Sequence, residues 1–313
     1  MAKIAFSLLV HEKPLVILDQ VINILSFNPN SIIVLHFNPR FNENDELPLD
    51  SLLSTLKKDN RVYINPHPVQ VSIDNIIQGH LSNYNFVKKE KFDYFYLIAS
   101  NELFVCSGAE AFVQKYDYGC FHNKNKNWVY FDKMSSDESL RKIIGKDPKD
   151  GYYLSQVEGS FYSKEIFGAM VETIENNFGY KNQTQVYPRE EMYFSSITGN
   201  FYNEQKRYDG CLCFINWKRG LFVSIKDIKR TIKSENAFSV KRVERQSNNY
   251  LREYIRRLVK IPNNEPVLIE WGMLVPKNHL SSFQIRFIDL FWRIAYLGRS
   301  FLVFLKRVFT RKK

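Results

Sequence analysis

The sequence predicts an α/β protein with a mixed, mostly parallel sheet flanked by helices. Two runs, KIAFSLLV (3–10) and SIIVLHF (31–37), are apolar without the alternation of a half-exposed strand, which is typical of parallel strands covered on both faces. Between them, LVILDQVINILS (15–26) has the apolar spacing of a helix. This order of strand, helix and strand indicates a parallel βαβ unit. The 313 residues, 44% of them hydrophobic, can build a sizeable core.

Further elements follow along the chain. FDYFYLIAS (92–100) is the strongest strand pattern, and Asn101 and Glu102 come directly after it. Because sheets of this type bind ligands beyond the carboxyl ends of their strands, we expect a site there. The remaining predictions are a strand at 61–66, a helix at 72–89, a strand and turn before a helix that begins near Ser163, a short helix at 189–200, a strand at 210–217 and an amphipathic helix at 248–259.

The net charge of +11 is concentrated at the C-terminal end of the sequence. From His279 onward there are eight lysine or arginine residues and one aspartate, so this segment carries +7 and the rest carries +4. A body with so small a charge disfavours a nucleic-acid-binding protein. We therefore divide the chain into a body of residues 1–278 and a basic tail of residues 279–313.

The tail alternates apolar blocks with charged residues. Charges recur before about 20 apolar residues accumulate, so the tail is too polar to span a bilayer readily. It suits a helix that lies in a membrane surface with its cations toward anionic lipid head groups; the alternative is a helix packed on the domain or on a partner subunit. On a helix, the polar face would hold Arg286, Asp289, Arg293, Ser300, Arg307 and Arg311, and the apolar face would hold Phe287, Phe291, Ile294, Leu297, Phe301, Phe304 and Val308.

Signatures of several other protein classes are absent. Cys106, Cys120, Cys211 and Cys213 lack the spacing of zinc ligands, and we expect reduced thiols in a cytosolic protein. The N-terminal apolar run has no small-residue cleavage site, which favours a core strand over a signal peptide. There is no GxGxxG, P-loop, GxSxG or HExxH motif. No DxD motif follows the strand at 92–100, so we expect no essential divalent metal.

Six segments resemble, in order, the core-2/I-branching β-N-acetylglucosaminyltransferases and the related peptide O-xylosyltransferases. They are KIAFSLLVHEKP, IIVLHFNPR, FDYFYLIASNELF, VEGSFYSKEIFGAMVETI, PREEMYFSSI and SENAFSVKRV, and they extend over roughly residues 3–243. The shared order is more specific than any single segment. The resemblance implies a GT-A-type fold, a nucleotide-sugar donor, inversion at the anomeric carbon and no metal requirement.

The stretch YPREEMYFSS (187–196) contains the residue that the resemblance implies to be the catalytic base. The family's base is the glutamate of a Pro-x-Glu helix, and the residues that follow place this position at Glu191. Its neighbour Glu190 is then a helix-start or acceptor-contacting residue. An inverting transfer needs one carboxylate to take the proton of the attacking hydroxyl. Taken alone, the stretch is also an ordinary acidic first turn after a proline.

The resemblance implies two cations for the departing diphosphate, which needs positive charge if no metal supplies it. Lys241, in AFSVKRV, matches the family's lysine. The family's arginine lies about 23 residues earlier, a spacing that leads to Lys218, beside Arg219. An alignment on the tryptophan leads instead to Cys213. Because arginine and lysine bind phosphate differently, the second cation stays open.

The donor nucleotide is expected at the ends of the first two strands. Val10 and His11 stand at the end of the first strand, and the resemblance favours contact of His11 with the nucleotide, although a histidine there is also typical of a local hydrogen bond. Asn38 follows the second strand, where the family typically has an aspartate. An asparagine can still hydrogen-bond a base or a ribose, and we expect a UDP-linked donor.

Four residues are assigned to the acceptor. Glu102 stands where the family has an aspartate, and Glu158 lies in the VEGSFYS segment. Tyr187 and Trp217 could stack on sugar rings or could belong to the core. Together with Glu190, these residues complete the predicted site.

The sequence therefore predicts a bacterial glycosyltransferase, held at the cytoplasmic face of the cell membrane by its tail. It would move a GlcNAc-like or xylose-like sugar to a hydroxyl of a glycan or lipid-linked polysaccharide, with no cofactor besides the donor. The alternative is an α/β peripheral membrane scaffold without activity. Loss of turnover in a Glu191→Gln variant that still binds nucleotide would separate the two.

Overall fold

The computed structural model describes residues 1–38, 47–72, 75–177, 186–217, 223–277 and 279–295. Its strands are β1 (Ile4–Val10), β2 (Ile32–Phe37), β3 (Val62–Ile64), β4 (Tyr94–Ile98), β5 (Glu102–Phe104), β6 (Tyr118–Gly119), β7 (Phe161–Ser163), β8 (Arg207–Tyr208), β9 (Cys213–Phe214) and β10 (Ser239–Lys241). Its helices are α1 (Pro14–Phe27), α2 (Leu49–Leu56), α3 (Ile76–Val87), α4 (Ala109–Val113), α5 (Phe131–Ser135), α6 (Glu138–Ile144), α7 (Pro148–Gly151), α8 (Lys164–Asn177), α9 (Tyr193–Phe201), α10 (Ile225–Ile232), α11 (Tyr250–Arg256) and α12 (Pro266–Leu274).

The strands form two sheets among the described residues. The larger has the order β3-β2-β1-β4-β7-β6-β8, and the smaller has the order β5-β10-β9. Strands β3, β2, β1 and β4 are mutually parallel, and β7 runs antiparallel to both β4 and β6. The predicted α/β class, with a mixed and mostly parallel sheet, is confirmed.

Both faces of the large sheet are buried, which explains the continuous apolar strands. Successive residues of a strand point to opposite faces, so Ala5 joins one hydrophobic cluster while Ile4 and Phe6 join the other. On β2, Val34 and Ile33 divide in the same way. A strand with alternating apolar and polar residues would have left one face of the sheet polar. None of the central strands has such an alternating pattern.

Two predicted elements differ from the structure. The strand predicted at 210–217 is reduced to β9, two residues that pair with β10. The helix predicted at 189–200 is divided into a 3₁₀ turn, Arg189–Glu191, and α9. Met192, with φ −137° and ψ −40°, separates them because this backbone conformation is not helical. Glu190 and Glu191 therefore lie in a tight turn and not on a regular helix.

The start of the basic tail packs on the body. Residues 282–295 are helical, and we call this segment the C-terminal helix. Ile285 is buried in the hydrophobic cluster that contains Val240 and Ile228. Asp289 accepts a hydrogen bond from the backbone N–H of Ile225, at the start of α10, over 3.0 Å. The alternative of a helix packed on the domain is thus realised for this part of the tail.

The orientation of the C-terminal helix corrects one prediction. The sequence pattern places Asp289 on the polar face, whose cations would meet lipid head groups, but the residue is 5% exposed and faces the body, because its carboxylate accepts a hydrogen bond from the backbone N–H of Ile225 at the start of α10. The exposed apolar side chains of the helix are Phe283, Phe287, Leu290, Phe291, Trp292 and Ile294. Tail residues 296–313, including Leu297, Ser300, Phe301, Phe304, Arg307, Val308 and Arg311, lie outside the described residues.

Candidate functional site

The site is at the carboxyl ends of β1 and β4, where the strand order reverses. Ligands of open α/β sheets bind at such a switch point. The ring of His11, directly after β1, lies with Nε2 3.0 Å from the hydroxyl of Ser100, which follows β4. Ser100 in turn donates to the carboxylate of Glu12 over 2.7 Å. Partial burial lowers the pKa of His11, while the neighbouring Glu12 carboxylate acts against this shift. A neutral, half-exposed imidazole therefore lies at the switch point.

The two other predicted donor residues lie at the same edge of the sheet. Val10 is buried at the end of β1, and its carbonyl accepts the backbone N–H of Asn38 over 3.3 Å. The side-chain amide of Asn38 donates to the carbonyl of Val71 over 2.9 Å. Asn38 thus joins the ends of β1 and β2, and its side chain is oriented by a backbone carbonyl.

Lys241 and Glu158 form an ion pair at the edge of the small sheet. Lys241 ends β10, and its ammonium contacts the carboxylate of Glu158, with both side chains partly exposed. On the other side of β10, Lys241 is in register with Glu102 of β5. The pair therefore connects the loop before β7 with β10. The sequence predicts Lys241 on the donor side and Glu158 on the acceptor side, and the structure brings the two side chains together.

Glu191 lies close to this ion pair. Burial is the largest cause of a rise in its pKa to about 7; the Glu158 carboxylate acts in the same direction, and Lys241 and a hydrogen bond from Trp128 act against it. The side chain is only partly buried, so solvent and ligands can reach it. A carboxylate with this pKa is half ionised near neutral pH, which is the condition under which a general base is most effective.

Glu190 differs from its neighbour because it is buried. Burial raises its pKa to about 8, a hydrogen bond with its own backbone acts in the opposite direction, and the charges of Glu191 and Glu158 raise the pKa as well. Glu190 is consequently protonated at neutral pH. It cannot accept a proton there, which leaves Glu191 as the available carboxylate of the turn.

Buried side chains hold the turn that carries both glutamates. Tyr187 and Tyr193 hydrogen-bond to the carboxylate of Asp137, the latter over 2.9 Å. The guanidinium of Arg189 lies 4.7 Å from the ring centroid of Tyr187 and 3.4 Å from Asp137. Tyr187 is 1% exposed, so its assignment as a sugar-stacking residue is wrong. Its ring and hydroxyl instead stabilise the turn at Glu191.

The loop of residues 155–159 joins the turn to the ion pair. The backbone N–H of Ser155 donates to the carbonyl of Glu191 over 2.8 Å. The amide of Gln156 donates to the carbonyls of Glu158 and Cys213 over 2.7 and 3.0 Å. Gly159 has φ +82°, and a Cβ there would lie 2.4 Å from the backbone nitrogen of Cys213. The glycine of VEGSFYS is therefore required for the close approach of β9.

Glu102 is not accessible to a ligand. It is fully buried, and its carboxylate accepts hydrogen bonds from Tyr96 over 2.9 Å and from Ser239 over 2.6 Å. Burial raises its pKa to about 7, although these two hydrogen bonds act in the opposite direction. The prediction that it contacts the acceptor is wrong, because its carboxylate instead links β4, β5 and β10.

Trp217 is 65% exposed. The guanidinium of Arg242 lies 4.9 Å from its ring centroid. Lys218 and Arg219, the predicted candidates for the second cation, lie outside the described residues. Of the residues that the sequence did not indicate, Trp128 interacts with Glu191 and lowers the pKa of that carboxyl. It stands in a polar loop with no regular pattern, so only its proximity in space identifies it.

Within the described residues, there is no group of three or more His, Cys, Asp or Glu side chains that could hold a metal ion. The four cysteines are free thiols, and three of them are buried. No helix in the described part of the chain has the length and apolar character needed to cross a membrane.

Comparison with known proteins found little similarity in sequence. No family model and no curated protein matches the chain. Among solved structures, an active-site mutant of LgtC and the galactosyltransferase LgtC in complex with donor and acceptor sugar analogs are 12% and 11% identical to it. Each has a TM-score of 0.42, with 85% of this chain and 99% of the other covered. A similarity at this level assigns neither a substrate nor an activity to the chain.

Proposed function

We propose that this protein is an inverting glycosyltransferase that uses a nucleotide-sugar donor. The observation that carries the proposal is Glu191: a partly exposed carboxylate with a pKa of about 7, next to the Lys241–Glu158 ion pair at the switch-point edge. Glu191 takes the proton of the acceptor hydroxyl as that oxygen attacks the anomeric carbon. The bond from that carbon to the diphosphate breaks, and Lys241 stabilises the charge that develops on the leaving group.

The resemblance to the core-2/I-branching and xylosyltransferase family supports the same roles. We place the chain in that family, with a GT-A-type fold, as part of the proposal. A single carboxylate base is sufficient, because a nucleoside diphosphate leaves without general-acid help. We propose that the reaction needs no divalent metal, that the donor is linked to UDP, and that the sugar is GlcNAc-like or xylose-like.

A turnover assay with purified protein tests the proposal. The protein is screened against UDP-sugars, with glycan and lipid-linked acceptors, in the presence of EDTA. The Glu191→Gln variant is expected to lose about 10²–10⁴-fold in kcat, the usual contribution of a general base, while it retains nucleotide binding. Glu172→Gln, on an exposed position of α8, is the matched control and should be unchanged.

Three outcomes of this assay would count against the proposal. Unchanged turnover in Glu191→Gln would remove the assignment of the base. Turnover that requires added Mn²⁺ or Mg²⁺ would overturn metal independence alone. Nucleotide binding without turnover for any donor would favour the alternative, an inactive scaffold.

We further propose that the tail holds the enzyme on an anionic membrane surface at the cytoplasmic face, where lipid-linked acceptors are found. The support is the outward apolar face of the C-terminal helix and the +7 charge from His279 onward. Ile285 and Asp289 attach this helix to the body. Membrane binding would therefore orient the body as well as concentrate it.

A further inference from the structure

The C-terminal helix packs on the small sheet that carries Lys241. Ile285 lies in one hydrophobic cluster with Val240 of β10, the residue directly before Lys241. Successive residues of a strand point to opposite faces, so Val240 faces this cluster and Lys241 faces Glu158 on the other side of the sheet. The candidate site and the C-terminal helix are therefore separated by the thickness of one small sheet.

A series of backbone contacts links the end of β10 to the C-terminal helix. The strand ends in a turn at Arg242, whose φ is +75° and whose carbonyl accepts the N–H of Val223 over 3.4 Å. Two residues further on, the N–H of Ile225 at the start of α10 donates to the carboxylate of Asp289 over 3.0 Å. The start of α10 thus lies between the turn that follows Lys241 and the C-terminal helix.

The side of the C-terminal helix opposite Asp289 is apolar and exposed. By helical spacing this side holds Phe287, Phe291 and Ile294, which are 62%, 61% and 60% exposed. The segment from His279 onward carries +7, which complements anionic lipid. An α-helix with its side chains is about 10–12 Å across, so an in-plane helix places the Asp289 contact about one helix diameter above its lipid-facing side. The start of α10 would then lie just above the lipid head groups.

We propose that the acceptor is a sugar linked through a diphosphate to a polyprenyl lipid, and that the protein takes this acceptor from the membrane on which its C-terminal helix lies. This inference rests on the proposed function and names the acceptor class, which the sequence leaves between a glycan and a lipid-linked polysaccharide. The sugar of such a lipid projects from the head-group layer toward the edge that carries Lys241. The diphosphate adds negative charge that the basic tail complements. A soluble glycan would gain nothing from this placement of the site.

The transfer leaves the link between the acceptor sugar and its lipid unchanged. A hydroxyl of the lipid-linked sugar forms a bond to the anomeric carbon of the donor sugar, and its proton goes to Glu191. The bond from that carbon to UDP breaks, and UDP leaves with the bonding electron pair. The diphosphate between the acceptor sugar and the polyprenyl chain stays intact, so the product remains in the membrane. Label from a radioactive donor sugar should therefore be recovered with the lipid.

A comparison of two acceptor preparations that carry the same sugars tests the inference. Polyprenyl-diphosphate-linked glycans from a bacterial lipid extract are placed in phosphatidylglycerol vesicles, and a second portion is released from its lipid by mild acid and used in solution. With the UDP-sugar that supports turnover, kcat/KM should be at least about tenfold higher for the lipid-linked glycans, because membrane binding raises their effective concentration. Equal or faster transfer to the released glycans would overturn the inference and leave the proposed function intact. No transfer with any donor and acceptor would remove both.

A variant at Asp289 separates the orientation of the body from simple attachment to the membrane. Asp289→Ala removes the contact with α10 and keeps the exposed aromatic residues of the C-terminal helix. Its co-sedimentation with the vesicles should stay near that of the wild type, while its preference for the lipid-linked glycans should fall toward one. Glu172→Ala, on an exposed position of α8, is the matched control and should keep the preference. A full preference in Asp289→Ala would overturn the inference that the docked helix presents the site to the lipid, and the comparison in the wild type holds whatever the stability of this variant.

Discussion

For single residues, the site depends on two carboxylates whose pKa values are both raised by burial. Glu191, with a pKa of about 7, is partly exposed, and Glu190, with a pKa of about 8, is buried. Separated carboxylate environments of this kind are a feature of acid–base sites. Each pKa shift leads to a measurable pH dependence.

The pH dependence of turnover should follow the ionisation of Glu191. Only the ionised carboxylate can accept a proton, so kcat/KM should rise with pH through about 7 and level off above it. At pH 6 the rate should be about tenfold below the plateau. A profile from pH 5.5 to 8.5 measures this, and a plateau that extends unchanged down to pH 5.5 would contradict it.

Trp128 should influence the pH at which kcat/KM falls on the acid side of the profile. Its hydrogen bond stabilises the ionised form of Glu191, so its removal raises the pKa of that carboxyl. We expect the acid limb of the Trp128→Phe profile to move to higher pH while the high-pH plateau falls less. The phenyl ring of this variant would retain an aromatic contact with Tyr130, whose ring centroid lies 5.3 Å from that of Trp128. A limb at the wild-type pH would show that the hydrogen bond has no part in catalysis.

Glu190 should make stability depend on pH. Its folded pKa of about 8 is above the ordinary value of 4.5, so its neutral form is favoured in the folded state. Its contribution to stability is then fully present below pH 4.5 and is progressively lost as pH rises toward 8. Glu190→Gln lacks this loss, and its advantage in Tm over the wild type should grow between about pH 5 and pH 8. A difference that stays constant across this range in thermal unfolding would contradict the assignment.

Among the structural elements, short connections determine the site more than the long helices do. The turn at Glu191, the 155–159 loop and the turn at Arg242 each have few residues and no regular repeat. Their conformations are set by contacts with other parts of the chain, such as Ser155 with Glu191 and Val243 with Asn101. The C-terminal helix shows the same dependence, because its contact with α10 determines which of its faces is outward.

The outward face of the C-terminal helix gives a test of membrane binding. Replacing Phe287, Phe291 and Trp292 with serine removes exposed apolar area without touching Ile285 or Asp289. Co-sedimentation with phosphatidylglycerol-containing vesicles should fall at least about tenfold, since each buried aromatic side chain contributes on the order of 1–3 kcal/mol. Equal vesicle binding by the triple variant would exclude this face as the membrane contact. In the matched control, substitution of the exposed Val129 by serine, in another part of the chain, should have no effect.

In the molecule as a whole, the C-terminal part of the body is tied to the first βαβ unit. Asp19, on α1, forms an ion pair with Arg252 of α11 over 2.7 Å, and both side chains are buried. Trp271 and Leu268 of α12 are buried in the same hydrophobic cluster as Ile17 of α1. Residues 250–275 therefore complete the core on the face of the sheet that α1 covers.

The buried pair should contribute strongly to stability. Asp19→Asn leaves the Arg252 charge uncompensated, and we expect a loss of about 3–5 kcal/mol in the free energy of unfolding. Urea denaturation measures it. Glu270→Gln breaks the exposed pair with Lys58 and should cost no more than about 1 kcal/mol. Similar losses in the free energy of unfolding for the two variants would show that burial does not increase the contribution of the Asp19–Arg252 pair to stability.

Local patterns in the chain were sufficient to predict the α/β class and the first parallel strands, and the resemblance to a known family indicated Glu191 and Lys241 as candidate site residues. Apolar runs identify the buried strands, and the ordered segments locate the two candidate site residues. Patterns of this kind depend on near neighbours in sequence, so they can be read without coordinates.

How those residues are used became clear only in the folded chain. Folding brings Glu158 to Lys241 and Trp128 to Glu191, and it buries the side chains of Tyr187 and Glu102. The members of each pair are separated by dozens of residues, and burial depends on every element around a side chain. A pKa or an orientation set by such contacts has no local signal, so the different chemistry of two adjacent glutamates follows from their tertiary surroundings.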